Sequence, residues 1–166
     1  MSVLRGKAAH MRTSLTLFML CVLITFSAEL YSAQPESFLR EFPRAQLIIN
    51  TSNNRCALFD VYVAQTSAQR SQGLMYIESM GKHEGMIFIY NKSAHISMWM
   101  KNTVIPLDML FIDNNLKVAG MHADAIPHSE EIIQSGKDAF VVIELNAGSI
   151  EYFNIKAGNQ IVFPAG

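Results

Sequence analysis

Cysteine is scarce in this 166-residue chain, with only Cys21 and Cys56. Cys21 falls in an expected N-terminal leader, so Cys56 alone would remain after its removal, which excludes a disulfide within the mature chain. Only Arg55 offers Cys56 positive charge locally, so it reads as a small buried hydrophobe rather than a reactive thiol. Charge is also thin: 16% of residues are charged, below the usual quarter. No basic run occurs beyond the leader, where ten Lys and Arg face thirteen Asp and Glu, a net charge of −3. Phosphate binding needs clustered cations, so nucleic acid is not an expected partner. No apolar run reaches the roughly 20 residues that span a bilayer. Two catalytic signatures are missing: Gly-x-Ser-x-Gly, and a second His for His83-Glu84 to make a zinc-peptidase motif. There is no internal repeat and one Trp, Trp99.

What is present begins with the leader. Arg5, Lys7 and Arg12 precede an apolar run from Leu15 to Phe26, followed by the small residues Ser27, Ala28, Ser32 and Ala33. This is the order of a secretory signal peptide. Residues 1–33 are therefore expected to be a signal peptide or, uncleaved, an N-terminal anchor through residues 15–26. The mature protein would be periplasmic or secreted, touching a membrane only through that segment. Residues 34–45 contain Pro35 and Pro43 and read as a linker. Residues 46–164 read as one domain.

Within the domain, short β-rich runs alternate with turn clusters. Strands are expected at 46–50, 56–64, 86–90, 95–101, 105–112, 117–121, 139–145 and 160–163. Thr66-Ser67-Ala68-Gln69 predicts a capping box opening a helix that ends near Gly73. Ser149 predicts the cap of a second short helix. Asn91-Lys92-Ser93 reads as a turn, and residues 122–138 as a long irregular loop. The fold class is mainly β: a small antiparallel barrel or sandwich with one or two short helices.

The stretch Ile96 to Ile112 organises the chain. Two apolar runs flank Lys101-Asn102-Thr103, and Asp108 lies inside the second. A buried carboxylate is costly unless paired or hydrogen-bonded. Asp108 is therefore either a brace accepting N–H bonds from the Asn102-Thr103 turn, or part of a site. In the second case Trp99 supplies a stacking plane, while Lys101, Asn102, Thr103 and Asp108 fix a polar ligand by directional bonds. No residue is assigned as catalytic; an acid–base pair of Lys101 and Asp108, in a small hydrolase-like enzyme, is the alternative. No metal or cofactor is expected, because strand alternation separates His95 and Trp99 from Met98 and Met100. The partner would be a small ligand or a protein surface.

Several blocks carry a family resemblance. Gly73-Leu74-Met75, Gly85-Met86-Ile87-Phe88, Trp99-Met100-Lys101-Asn102-Thr103 and Ile105-Pro106-Leu107-Asp108 occur in that order. Glu144-Leu145-Asn146-Ala147-Gly148 and Ile155-Lys156-Ala157-Gly158 follow. The chain resembles domain-of-unknown-function family 192 over about residues 46–163. The resemblance implies a single mainly-β domain and no established activity. Members usually carry Arg shortly after Gly-Leu-Met, where this chain has Ile77.

Overall fold

A computed structural model describes residues 39–51 and 55–164. The expected leader, and the start of the expected linker, lie outside the described residues. Seven strands form one sheet: β1 (Arg44–Thr51), β2 (Arg55–Ala64), β3 (Glu84–Met98), β4 (Leu107–Ile112), β5 (Val118–Ala125), β6 (Ile133–Asn146) and β7 (Gln160–Val162). The spatial order is β5-β4-β6-β3-β2-β1-β7. Every adjacent pair is antiparallel except β2 and β3, which run parallel. A parallel pair needs a crossover, and the helix α1 (Ser67–Gln72) lies in it. The sheet curls into a half-barrel, and a bridge between Lys117 and Gln160 joins its two ends.

Alternation along the strands divides the core between two faces. Leu47, Ile49, Phe59, Val61, Ile87, Leu110, Ile143 and Ile161 pack together on one. Met86, Phe88, Met109, Phe111 and Val142 pack on the other, under Leu74, Ile77 and Met100. All six residues of β4 are buried, Asp108 among five apolar neighbours. Fully burying one such Leu, Ile or Phe contributes about 1.5–3 kcal/mol.

The helix start follows the sequence closely. The Thr66 hydroxyl accepts from Gln69 N–H at 3.1 Å, and the Gln69 side chain accepts from Thr66 N–H at 3.0 Å. Gly73 ends α1 at φ 50° and ψ −138°, a conformation that only glycine adopts readily.

Five expectations are corrected. The turn at 91–93 is absent: β3 runs from Glu84 to Met98, absorbing those residues at a register shift against β6. The loop 122–138 is mostly strand, because β5 extends to Ala125 and β6 begins at Ile133. His122, Asp124, Gln134 and Lys137 sit exposed on these strands, while His128, Ser129, Glu130 and Glu131 stay in the short loop 126–132 between them. The second helix, α2 (Ser149–Tyr152), has Gly148 at its cap in the left-handed region, with no side-chain cap bond from Ser149. Part of the linker is built into the domain, since Leu39 and Phe42 are buried and the Pro43 carbonyl accepts from Val63 N–H at 2.8 Å. Finally, Cys56 is exposed, because the alternation that buries Ala57, Phe59 and Val61 turns Cys56 outward.

Candidate functional site

The site is best built from Glu144. The run Val141-Val142-Ile143-Glu144-Leu145 lies in β6, the strand flanked by β3 and β4. Glu144 shares a face with Val142, and its cross-strand partners are Met86 on β3 and Met109 on β4. Both methionines are fully buried and offer no hydrogen-bond donor. Glu144 itself is only 5% exposed. Among the described residues its carboxyl makes no hydrogen bond or ion pair, and its oxygens are not sealed off but open onto the cleft of 310 Å³ that it lines. Burial alone pushes its pKa up to about 8. At neutral pH this carboxyl is protonated and can donate as well as accept.

Gly85 sets the depth of Glu144. It pairs with Leu145, and a Cβ there would run into the Glu144 carbonyl and lie 2.8 Å from Leu145 Cδ2. The missing side chain lets the two backbones close up beside the carboxyl.

Other walls of the cleft come from α1 and the end of β3. Arg70, in the last turn of α1, donates through Nη1 to the carbonyls of Gln65 and of Ile89, the latter at 3.0 Å. Its guanidinium lies over the Tyr90 ring at 5.0 Å. No carboxylate pairs with Arg70 among the described residues. Tyr90 donates to Met98 Sδ at 3.5 Å. Its pKa is raised, first by burial, with Glu144 adding and Arg70 opposing. Tyr90 is thus within electrostatic reach of both.

The expected site residues divide. Trp99, Lys101 and Thr103 line the cleft. Trp99 is 45% exposed, with Lys101 Nζ over its ring at 5.2 Å, and that ammonium also lies 3.7 Å from Glu130. Thr103 is buried, and its hydroxyl has no partner among the described residues. Asn102 stands outside the lining, in a turn at φ 57°, its side chain on Met75 Sδ at 3.8 Å. Asp108 is also outside it. The carboxylate is fully buried, taking Asp124 N–H at 2.9 Å and Ile150 N–H at 2.7 Å. These are not the expected donors of the Asn102-Thr103 turn. The β3 alternation also ends earlier than expected: the strand stops at Met98, so Met98 and Trp99 both line the cleft. Among the described residues, no three His, Cys, Asp or Glu side chains gather as a metal site would require.

A second hollow, of 400 Å³, lies between Met80, Asn146 and Tyr152. It is larger, but no buried titratable side chain lines it.

A family model for domain-of-unknown-function family 192, described as "Uncharacterized ACR", matches residues 48–163. The chain belongs to this family. Two solved structures agree in fold. A Sinorhizobium meliloti 1021 protein, described as a candidate transcription regulator, is 36% identical, with a TM-score of 0.72 over 74% of this chain and 95% of its own. A Novosphingobium aromaticivorans protein of unknown function is 32% identical, with a TM-score of 0.70 over 72% and 85%. No curated protein matches.

Four of the blocks that carry the family 192 resemblance meet at the cleft. They contribute Gly73-Leu74-Met75, then Phe88, then Trp99 with Lys101 and Thr103, then Glu144. Ile77, where family members usually have Arg, is 4% exposed and packs in the core. Sequence reasoning missed Glu144, Arg70 and Tyr90. For Glu144 the signal was the one that singled out Asp108, a carboxylate inside an apolar strand.

Proposed function

We propose that this family 192 protein is an exported module whose β domain binds a small polar ligand in the cleft of Glu144, Trp99, Lys101 and Thr103. The single observation behind this reading is the Glu144 carboxyl. Its carboxyl is largely desolvated among apolar side chains and opens only onto the cleft, and holding a polar group there without a protein partner costs stability. That cost is understandable where the missing partner is a ligand, as at functional sites that give up stability. Trp99 adds an exposed aromatic plane and Thr103 a free hydroxyl. A volume near 300 Å³ is at the small end of ligand pockets.

Asp108 contributes to the scaffold in this reading. Both its oxygens are engaged and it lies off the cleft, so the pairing of Asp108 with Lys101 for acid–base work loses its support. Any acid–base chemistry would run through Glu144, whose pKa near 8 suits proton transfer. A role on nucleic acid, which the description of the Sinorhizobium protein suggests, is not favoured by a net charge of −3 over residues 34–166 without a basic run.

The test is a thermal-shift screen of small polar metabolites on residues 34–166, with Trp99 fluorescence as second readout. A ligand of the native state raises its melting temperature. The expected hit shifts the parent, perturbs Trp99, and has no effect on Glu144→Leu. A hit that stabilises both proteins equally would place binding elsewhere.

A further inference from the structure

The charges around the cleft narrow the ligand further, on the assumption that the cleft is a binding site. Two cations line it, Arg70 from α1 and Lys101 after β3. The Arg70 guanidinium has no carboxylate partner among the described residues, and only Nη1 is spent on backbone carbonyls. The remaining N–H groups of that fork are available to an incoming acceptor. Lys101 is loosely held, at 3.7 Å from an exposed Glu130. Among the described residues, the only carboxyl lining the cleft is Glu144, which is 95% buried between donorless methionines. The cleft therefore offers positive charge and donors, with an exposed indole at its rim.

We propose that the cleft takes a small organic carboxylate on a flat, largely apolar body, its head between Arg70 and the Glu144 carboxyl and its body against Trp99. Arg favours carboxylates because its planar fork matches their two oxygens. A protonated Glu144 donates the complementary hydrogen bond, whereas an ionised Glu144 would repel the same head. Among the described residues, the titratable and charged groups that line the cleft with Glu144 are Arg70 from α1, Tyr90 from β3 and Lys101 after it, the last paired outside the lining with Glu130; β4 presents Met109 opposite Glu144. Tyr90 stays protonated through pH 9, since its pKa is raised from an ordinary value of 10.

Benzoate, benzylamine and benzyl alcohol share one shape and differ in charge, so they form the test on the unaltered protein. Binding is read by Trp99 fluorescence and calorimetry at pH 6.5 and pH 9. Benzoate is expected to bind tightest of the three at pH 6.5. Its affinity should fall roughly tenfold at pH 9, following the protonated fraction of a group near 8. Glu144→Gln, which donates at every pH, should bind benzoate with no such fall.

Tighter binding of benzylamine, rising with pH, would keep the cleft as a binding site and overturn the anion assignment. Equal binding of all three probes would do the same, leaving stacking on Trp99 as the only selectivity. Inorganic phosphate competing as strongly as benzoate would remove the flat body from the inference. If none of the three binds, the carboxylate inference fails, while the metabolite screen still decides whether the cleft binds anything.

Discussion

The carboxylate of Asp108, the second residue of β4, accepts the backbone N–H of Ile150 at 2.7 Å. Ile150 is the second residue of α2, whose cap residue Gly148 has no side chain to offer. Asp108 thus performs from across the fold the task a capping Ser or Asp performs locally. Its other oxygen fixes Asp124 at the end of β5, at φ 53°. Replacing Asp108 by Asn leaves one oxygen and an amide that cannot accept. The expected loss is about 1.5–3 kcal/mol, read from the urea midpoint at neutral pH. An Asn variant as stable as the parent would show that these two bonds do not brace the fold.

The pH dependence of stability should carry the mark of Glu144. Its folded pKa of about 8 stands above the ordinary 4.5. Between those values the native state holds one proton more than the unfolded chain. Stability therefore falls as pH rises across that window, by about 1.4 kcal/mol per pH unit from this group. Below it and above it the contribution is flat. Glu84 acts in the opposite sense at lower pH, because the Gly81 N–H and Arg44 lower its pKa. The comparison with Glu144→Gln isolates Glu144, and the difference between the two proteins should grow from pH 5 to pH 8. Parallel curves would mean that Glu144 ionises normally.

Gly85→Ala should be costly. The added methyl meets the Glu144 carbonyl, which is backbone and cannot swing aside, and Leu145 Cδ2. Overpacking of this kind costs about 1–3 kcal/mol. The variant should also alter any ligand response of the cleft, because β6 must move where it carries Glu144. Chemical denaturation together with Trp99 fluorescence checks both effects. Gly136→Ala makes a useful contrast, since a Cβ there meets nothing within 4 Å. Its cost comes from a φ of 68° alone.

Export is tested on the protein as the host makes it. N-terminal sequencing should begin between about Glu29 and Gln34. Recovery of intact Met1 from a soluble cytoplasmic fraction would remove the signal-peptide reading.

Local chemistry was the legible part of the fold. Thr66 and Gln69 are three residues apart, and nothing distant is needed for their reciprocal bonds. The apolar run of β4 stated its own burial. Strand pairing was less legible, because partners are chosen across the chain. Asn91-Lys92-Ser93 carries turn composition, yet β6 supplies a partner on both sides of it and draws β3 into one strand. The parallel register of Tyr62 against Met86 likewise has no local signature. At the site, Trp99, Lys101 and Thr103 stood out because aromatic and polar residues adjoin one turn. Asp108 and Glu144 look alike in sequence, each a carboxylate among apolar residues. Which of them finds donors depends on where Asp124 of β5 and Ile150 of α2 come to rest, 16 and 42 residues from Asp108, and not on their neighbours in the strand.

The contact between Lys117 and Gln160 bears on how this protein stays apart from its own copies. A curled sheet has two edge strands, and each presents unpaired N–H and C=O groups that can recruit another chain. Here the start of β5 and the short β7 meet each other. The Gln160 amide also caps the carbonyls of Asn115 and Leu116, at 2.9 and 3.0 Å. Both edges are thus occupied at the same corner, each by the other. A side-chain change at Gln160 would leave the main-chain bonds of Ile161 N–H to Leu116 and Val118 N–H to Asn159 in place but uncap the Asn115 and Leu116 carbonyls at this corner. Its first visible effect should therefore be self-association on storage rather than a lower melting temperature.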